Sequence, residues 1–260
     1  MTGKTPMWPQ ILGVISDLDG VVYRGADPIP SAVQAFQRWH RAGVPYGFVT
    51  NNSTRTSAEF ASKINSMGIP VAATQIVTTA EATAEVVAAN HPASARVFVV
   101  GAAALRDAIL RHGFTLADTA VDVVVVGLDQ SFTYQTLGLA QAALLAGAAF
   151  YGTNADPMLP KGNGFEPGAG SILRAIAVAS GKTPVIIGKP GRQMIDIGLA
   201  RLGTPREATL MIGDQIDTDI IAGKAAGLPT VLVNTGVPQT GPRQTEPDFE
   251  VDDLTQIPQA

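Results

Sequence analysis

The chain has 260 residues, 46% of them apolar and 15% charged, with a formal net charge of −4 and no cysteine. That composition excludes a disordered chain, which is poor in apolar residues and rich in charge, and it excludes disulfides, thiolate metal sites, iron–sulfur clusters and a thiol nucleophile. It has no basic block to serve nucleic acid or an anionic membrane, no run near the roughly 20 apolar residues of a membrane span, and no signal-peptide-like apolar stretch in its first ten residues, so a cytoplasmic globular protein is expected.

Short β-branched runs alternate with helical stretches along the chain. Residues 11–16 read as a buried strand, 31–42 as a helix closed by Gly43, and 46–50 as a second strand. A helix with Phe60, Ile64 and Met67 on one face follows, opened by a capping box from Thr56 to Glu59 and ended by Gly68. The middle continues with helices at 81–89, 103–111, 135–146 and 170–179 and strands at 97–100, 121–126 and 149–152. Late in the chain come strands at 184–187, 208–212 and 230–234, with helices at 193–202 and 217–226 between them. Continuous apolar strands separated by helices imply an α/β fold, with a parallel sheet covered on both faces. Periodicity does not decide between one sheet and two. The segment after Pro238, rich in Pro, Gln and Asp, reads as a loosely held surface tail.

Chemistry-bearing residues stand just past the apolar strands. Asp17 and Asp19 leave the first strand one residue apart, where open parallel sheets bind ligands. Neighbouring carboxylates repel, so a cation is needed to keep both ionised, and oxygen ligands suit Mg²⁺. An ordinary solvated turn is an equal alternative for these residues alone. Thr50 and Asn51 precede a capped helix, where a hydroxyl and free N–H groups make a phosphate cradle or merely a helix cap. Lys189, between Gly188 and Pro190, is placed to neutralise an anion or is a surface lysine. Asp214, Asp217 and Asp219 follow the strand at 208–212, and Asp217 fits a capping role.

Singly weak, these signals are specific in their joint order. The wording Asp17-Leu-Asp-Gly-Val, Thr50-Asn-Asn-Ser, Pro167-Gly-Ala-Gly-Ser171, Gly188-Lys-Pro190 and Gly213-Asp-Gln-Ile-Asp-Thr-Asp219 resembles the haloacid dehalogenase superfamily. More narrowly, it resembles the nitrophenyl-phosphatase-like subfamily (IIA), which includes pyridoxal phosphate and phosphoglycolate phosphatases. The resemblance runs from about residue 12 to about residue 236, with no departure at the motif positions. It implies a Rossmann-like parallel-sheet core at 1–79 and 184–260, with an inserted α/β cap domain of the C2 type at 80–183.

The same resemblance implies a Mg²⁺-dependent phosphatase for small phosphate monoesters. Asp17 would be the nucleophile, forming an aspartyl-phosphate, and Asp19 the general acid and base. Thr50 and the N–H of Asn51 would hold phosphoryl oxygens, with Lys189 offsetting charge on the phosphate and on Asp17. Mg²⁺ would be held by Asp17, the backbone carbonyl of Asp19, and Asp214. Asp219 would orient Lys189 or a metal-bound water rather than ligate. In the cap, a loop from Asp156 to Gly168 would hang over the core site and choose the leaving group, and Asn154, Asp156 and Lys161 are candidates for selecting the substrate. Lys161 favours an anionic, phosphoglycolate-like group, unless it is simply a solvated lysine. A phosphotransferase or mutase on the same scaffold and a catalytically silent binding protein are the alternatives, and cap-to-cap dimerisation among relatives leaves a homodimer open. Arg111-His112-Gly113 and Gly181-Lys-Thr183 look like fragments of other phosphate motifs but lack their context. His40, His91 and His112 read as structural.

Overall fold

The computed structural model describes residues 8–161, 164–236, 238–239 and 242–258. The chain separates into two compact units: residues up to 50, 57–77 and from 189 onward form one, and 51–56 with 78–188 form the other.

The first unit is built on a six-stranded sheet in the order Phe249–Val251, Thr230–Val233, Thr209–Gly213, Gly13–Ser16, Tyr46–Thr50, Ile76–Thr78. From Phe249–Val251 across to Tyr46–Thr50 every neighbouring pair is parallel. The inner strands are buried along their whole length, as the unbroken apolar runs require of a sheet covered on both faces. Parallel neighbours need crossovers, here the helices Pro30–Arg41, Ser57–Ser66, Gln193–Leu202 and Ile221–Ala226. Pro30–Arg41 buries Ala32, Ala35, Phe36 and Trp39 at helical spacing. Each large side chain so removed from water contributes about 1.5–3 kcal/mol. Gln193–Leu202 stops at Gly203, whose φ of 66° suits glycine at a helix C-terminus. Gly13–Ser16 lies between a strand from the start of the chain and one from its end, so the strand order reverses beside it. That is the switch point at which open α/β sheets bind ligands.

The second unit holds a five-stranded sheet in the order Val185–Ile186, Ala149–Gly152, Val123–Val126, Arg96–Val100, Thr115–Leu116, parallel throughout. Its helices are Thr79–Asn90, Ala103–Arg111, Tyr134–Leu145 and Ala169–Ser180, and its core includes Val100, Val124, Val126, Leu144, Phe150, Leu173 and Ile176. Among the described residues no helix is long and apolar enough to cross a membrane.

Four features differ from the sequence reading. The described part of the tail, 242–258, is not loosely held: Phe249–Val251 is an edge strand, and Leu254 and Ile257 are buried in the core. The segment 156–168, read as a loop, contains the antiparallel hairpin Met158–Lys161 with Gly164–Pro167. Val185–Ile186 pairs with Ala149–Gly152 in the second sheet rather than beginning the second stretch of the core. The helix expected at 217–226 starts as a π-helical turn, Ile216–Ile220, before the α-helix Ile221–Ala226. In that turn the Asp219 carboxylate accepts the N–H of Gln215 and faces inward. The histidines bond to Tyr46, Tyr151 and the Ala108 carbonyl.

Candidate active site

Three adjacent parallel strands deliver the polar groups of the site. Asp17 follows Gly13–Ser16, Thr50 ends Tyr46–Thr50, and Asp214 follows Thr209–Gly213. Because the strands are parallel, their carboxyl ends meet at one edge of the sheet. The N–H of Asp17 donates to the Ile212 carbonyl at 2.9 Å, which extends the ladder one residue past the strand and fixes where its side chain starts.

Lys189 lies at the centre and is only 3% exposed. Its Nζ donates to Asp17 Oδ1 at 2.5 Å, to Asp219 Oδ1 at 2.6 Å and to the Val49 carbonyl at 3.5 Å. A buried ammonium is tolerated only when paired and hydrogen-bonded. Burial works to lower its pKa, and the two carboxylates outweigh that and hold it above the ordinary lysine range. Asp17, Asp214 and Asp219 are likewise buried, with ligand oxygens within 4.8 Å of one another. The Asp17 carboxyl is pushed well above the usual carboxylate range, chiefly by burial; Lys189 opposes this, while Asp219 and Asp214 add to it.

The donor set fits a hard divalent cation: buried carboxylate oxygens, converging, with a single ammonium among them. Asp214 is admitted because glycines flank it. A Cβ at Gly236 would lie 1.9 Å from Asp214 Oδ2, and one at Gly20 would lie 2.3 Å from it. Asp219 is differently employed, since Oδ1 holds Lys189 and Oδ2 accepts from Gln215. Its geometry matches a residue that orients the lysine.

Asp19 lies on the exposed turn two residues beyond Asp17, and the Tyr23 hydroxyl donates to its Oδ2 at 3.5 Å. Thr50 is buried at the strand end. Asn154 and Asp156 turn inward within the second unit and do not project as free loop side chains: Asn154 Nδ2 donates to the Asn51 carbonyl at 2.8 Å, and Asp156 Oδ2 accepts from Asn51 Nδ2 at 3.1 Å. The side chain of Lys161 lies outside the described residues. Thr79 bonds the same carbonyl of Asn51, at 2.8 Å. The sequence offers Thr79 only as a hydroxyl at a helix start, and nothing local marks its partner.

Carboxylates and a hydroxyl stand at neighbouring strand ends of a Rossmann-like sheet, with the buried ammonium of Lys189 paired to two carboxylates, which is the arrangement that the haloacid dehalogenase resemblance implies. A family model for haloacid dehalogenase-like hydrolases matches residues 14–115, and a second, HAD-hydrolase-like model matches 186–257. The 5'-nucleotidase YutF of Bacillus subtilis is 41% identical over 225 residues, covering 86% of this chain and 88% of its own. The acid sugar phosphatase of Staphylococcus saprophyticus is 39% identical, covering 93% and 94%. The crystal structure of a double mutant of the thermostable NPPase from Geobacillus stearothermophilus superposes with a TM-score of 0.91 at 37% identity, covering 96% of this chain and 99% of that one. The chain belongs to the haloacid dehalogenase-like hydrolases, in the nitrophenyl-phosphatase-like group (subfamily IIA). It is a phosphoric monoester hydrolase.

Proposed function

We propose that the protein hydrolyses small phosphate monoesters with Mg²⁺ through an aspartyl-phosphate on Asp17. The observation that carries this reading is the buried Lys189, which ties Asp17 to Asp219 beside Asp214 at the switch point of the sheet. Asp17 uses a carboxylate oxygen to attack phosphorus, and the ester oxygen leaves with a proton from Asp19. The Asp19 carboxylate then takes a proton from a water attacking the phosphoryl group, which breaks the bond to Asp17 and frees phosphate. Lys189 holds Asp17 in place and balances charge that builds on phosphoryl oxygens. Thr50 and the Asn51 N–H hold those oxygens.

Asp17, Asp214 and the backbone carbonyl of Asp19 would hold Mg²⁺, with Asp219 reserved for Lys189. When bound, the ion supplies positive charge at a place where one ammonium faces three buried carboxylates. Such a cluster otherwise repels a phosphate dianion.

In the same reading the first unit is the catalytic core and the second is a cap that sets substrate preference. The hairpin Met158–Lys161 with Gly164–Pro167 carries the exposed apolar side chains Met158 and Phe165. The names of the relatives direct a first substrate panel to nucleoside monophosphates and sugar phosphates.

The test is phosphate release from p-nitrophenyl phosphate and that panel, with Mg²⁺ and with EDTA, beside Asp17→Asn. Release is expected to need the metal and to fall more than about a thousandfold in the variant. Substantial activity in Asp17→Asn removes the nucleophile assignment. Transfer to an added alcohol in place of water assigns the protein as a phosphotransferase.

A further inference from the structure

A polar knot in the second unit holds Asn51 through side chains that have no part in the chemistry so far. It centres on the short loop 153–156, which follows the strand Ala149–Gly152. The Thr153 carbonyl accepts the N–H of Gly188 at 2.7 Å. Next in the chain, Asn154 Nδ2 donates to the carbonyl of Asn51 at 2.8 Å, and Thr79 Oγ1 donates to that same carbonyl at 2.8 Å. Asp156 completes the set by accepting from Asn51 Nδ2 at 3.1 Å. Asn51 and Gly188 are the chain neighbours of Thr50 and Lys189. One loop therefore fixes the residues adjoining both side chains assigned to the phosphoryl group.

The knot is rigid by construction. Asn154 is 6% exposed and Thr79 fully buried. A carbonyl oxygen has two lone pairs, and both of those on Asn51 are matched by a donor. With its side chain also held, Asn51 has little freedom in where its N–H points. The loop is seated from below by the start of Ala169–Ser180. Gly170 N–H donates to the Asp156 carbonyl at 2.9 Å, and Ser171 Oγ donates to the Pro157 carbonyl at 2.7 Å. A Cβ at Gly168 would lie 2.3 Å from the Asp156 carbonyl oxygen, and one at Gly170 would lie 2.1 Å from that of Ala155. The Pro167-Gly-Ala-Gly-Ser171 wording is thus a glycine seat for this loop. Gly188 is under the same constraint, since its Cβ would lie 2.5 Å from the Thr153 carbonyl oxygen and 2.7 Å from Asn51 Oδ1. Both ends of the Asn154 amide are committed, because its Oδ1 accepts the N–H of Asp156 at 3.1 Å.

We propose that Asn154, supported by Thr79, is a positioning residue for phosphoryl transfer: it holds Asn51 so that the Asn51 N–H keeps its aim on the phosphoryl oxygens, and it does not select the leaving group. This rests on the phosphatase reading above. A misplacement of about 1 Å at such a site costs on the order of a hundredfold in rate.

The experiment compares Asn154→Asp, Thr79→Val and the wild type on two esters, p-nitrophenyl phosphate and an alkyl phosphate. Inhibition by inorganic phosphate, which has no leaving group, is measured alongside. Asn154→Asp puts an oxygen against the Asn51 carbonyl. We expect kcat/KM to fall roughly 10–100-fold by the same factor on both esters, and phosphate to bind correspondingly more weakly. Thr79→Val, of nearly the same volume, is expected to show the same pattern at smaller size and carries the test if Asn154→Asp does not fold. A loss on one ester only, with phosphate inhibition intact, overturns the proposal and returns Asn154 to substrate selection. Lower thermal stability with kcat/KM and phosphate inhibition unchanged overturns it in favour of a purely structural role. If the wild type releases phosphate and both variants match it, this inference alone fails; if the wild type releases none, the phosphatase reading fails and takes the inference with it.

Discussion

Lys189 and Asp17 show a site built at the expense of stability. The Asp17 carboxyl is held above its ordinary range, chiefly by burial and then by Asp219 and Asp214, against the pull of Lys189. A carboxyl that binds its proton more tightly folded than unfolded lowers stability above that range and restores it as pH falls toward about 4. In EDTA at pH 7, Asp17→Asn is therefore expected to unfold at or above the temperature of the wild type, with the gap closing on acidification. Mg²⁺ is expected to raise the wild type more than the variant, because only binding to the folded state shifts the transition. Thermal scans with and without the ion decide this; a variant that melts lower in EDTA at every pH sinks it. Lys189 has the opposite sign. Its pKa is lowered by burial but raised more by Asp17 and Asp219, so its contribution is complete at neutral pH and fades only in strong alkali. Lys189→Met leaves two buried carboxylates uncompensated and is expected to cost about 3–5 kcal/mol in denaturant unfolding. Adding Asp219→Asn should recover part of that loss. A double variant no more stable than the single one would contradict the charge argument.

The elements most legible in the sequence are those with continuous apolar runs or glycine stops. Leu210–Ile212 and Val231–Val233 could only be buried strands, and Gly203 and Gly227 ended their helices as a left-handed residue should. The site was readable for the same reason: Asp17, Thr50 and Asp214 each stand at the end of such a run, where topology alone brings them together. What was not readable depends on partners far away in the chain. Asn154 in a polar loop carries no local sign that its amide points at Asn51. The edge strand Phe249–Val251 is too short to show alternation amid proline and aspartate, and it is fixed instead by tertiary contacts. Trp8 stacks on Phe249 at 4.0 Å, and Asp248 Oδ2 accepts from Thr230 N at 2.8 Å and Thr230 Oγ1 at 2.9 Å, with Lys224 on its other oxygen. Burial raises the Asp248 pKa, but Lys224 and Thr230 lower it further, below the usual range. Its stabilisation is thus present above the unfolded carboxyl range and lost as pH falls through the folded value. Asp248→Asn is expected to cost about 1 kcal/mol at pH 7, discounted for its partial exposure, and less once the pH is below the unfolded carboxyl range of about 4. Equal destabilisation at both pH values would show that the contact of Asp248 with Lys224 and Thr230 is not electrostatic.

At the scale of the whole molecule, each unit owns a sheet and a core, so each can tolerate change on different terms. The carboxylate–lysine cluster belongs entirely to the first unit, and burial there leaves little room for variation, as the contacts around Gly20, Gly213 and Gly236 show. The hairpin Met158–Lys161 with Gly164–Pro167 is the reverse case. Its Phe165 at 69% and Met158 at 57% exposure contribute little to any core. Residues so placed are free to change without unfolding the protein, which is what a surface that sets preference among substrates requires. Phe165→Ser is therefore expected to leave the unfolding temperature unchanged and to leave inhibition by inorganic phosphate intact, while shifting relative kcat/KM between an aromatic and a small polar monoester. Loss of one apolar contact in a specificity pocket amounts to roughly 10–200-fold in such a ratio. Lys189 variants should instead reduce all esters alike, since every substrate presents the same phosphoryl group. If Phe165→Ser lowers every ester equally, chemistry and preference are not divided between the two units, and the preference must be sought among side chains of the first unit.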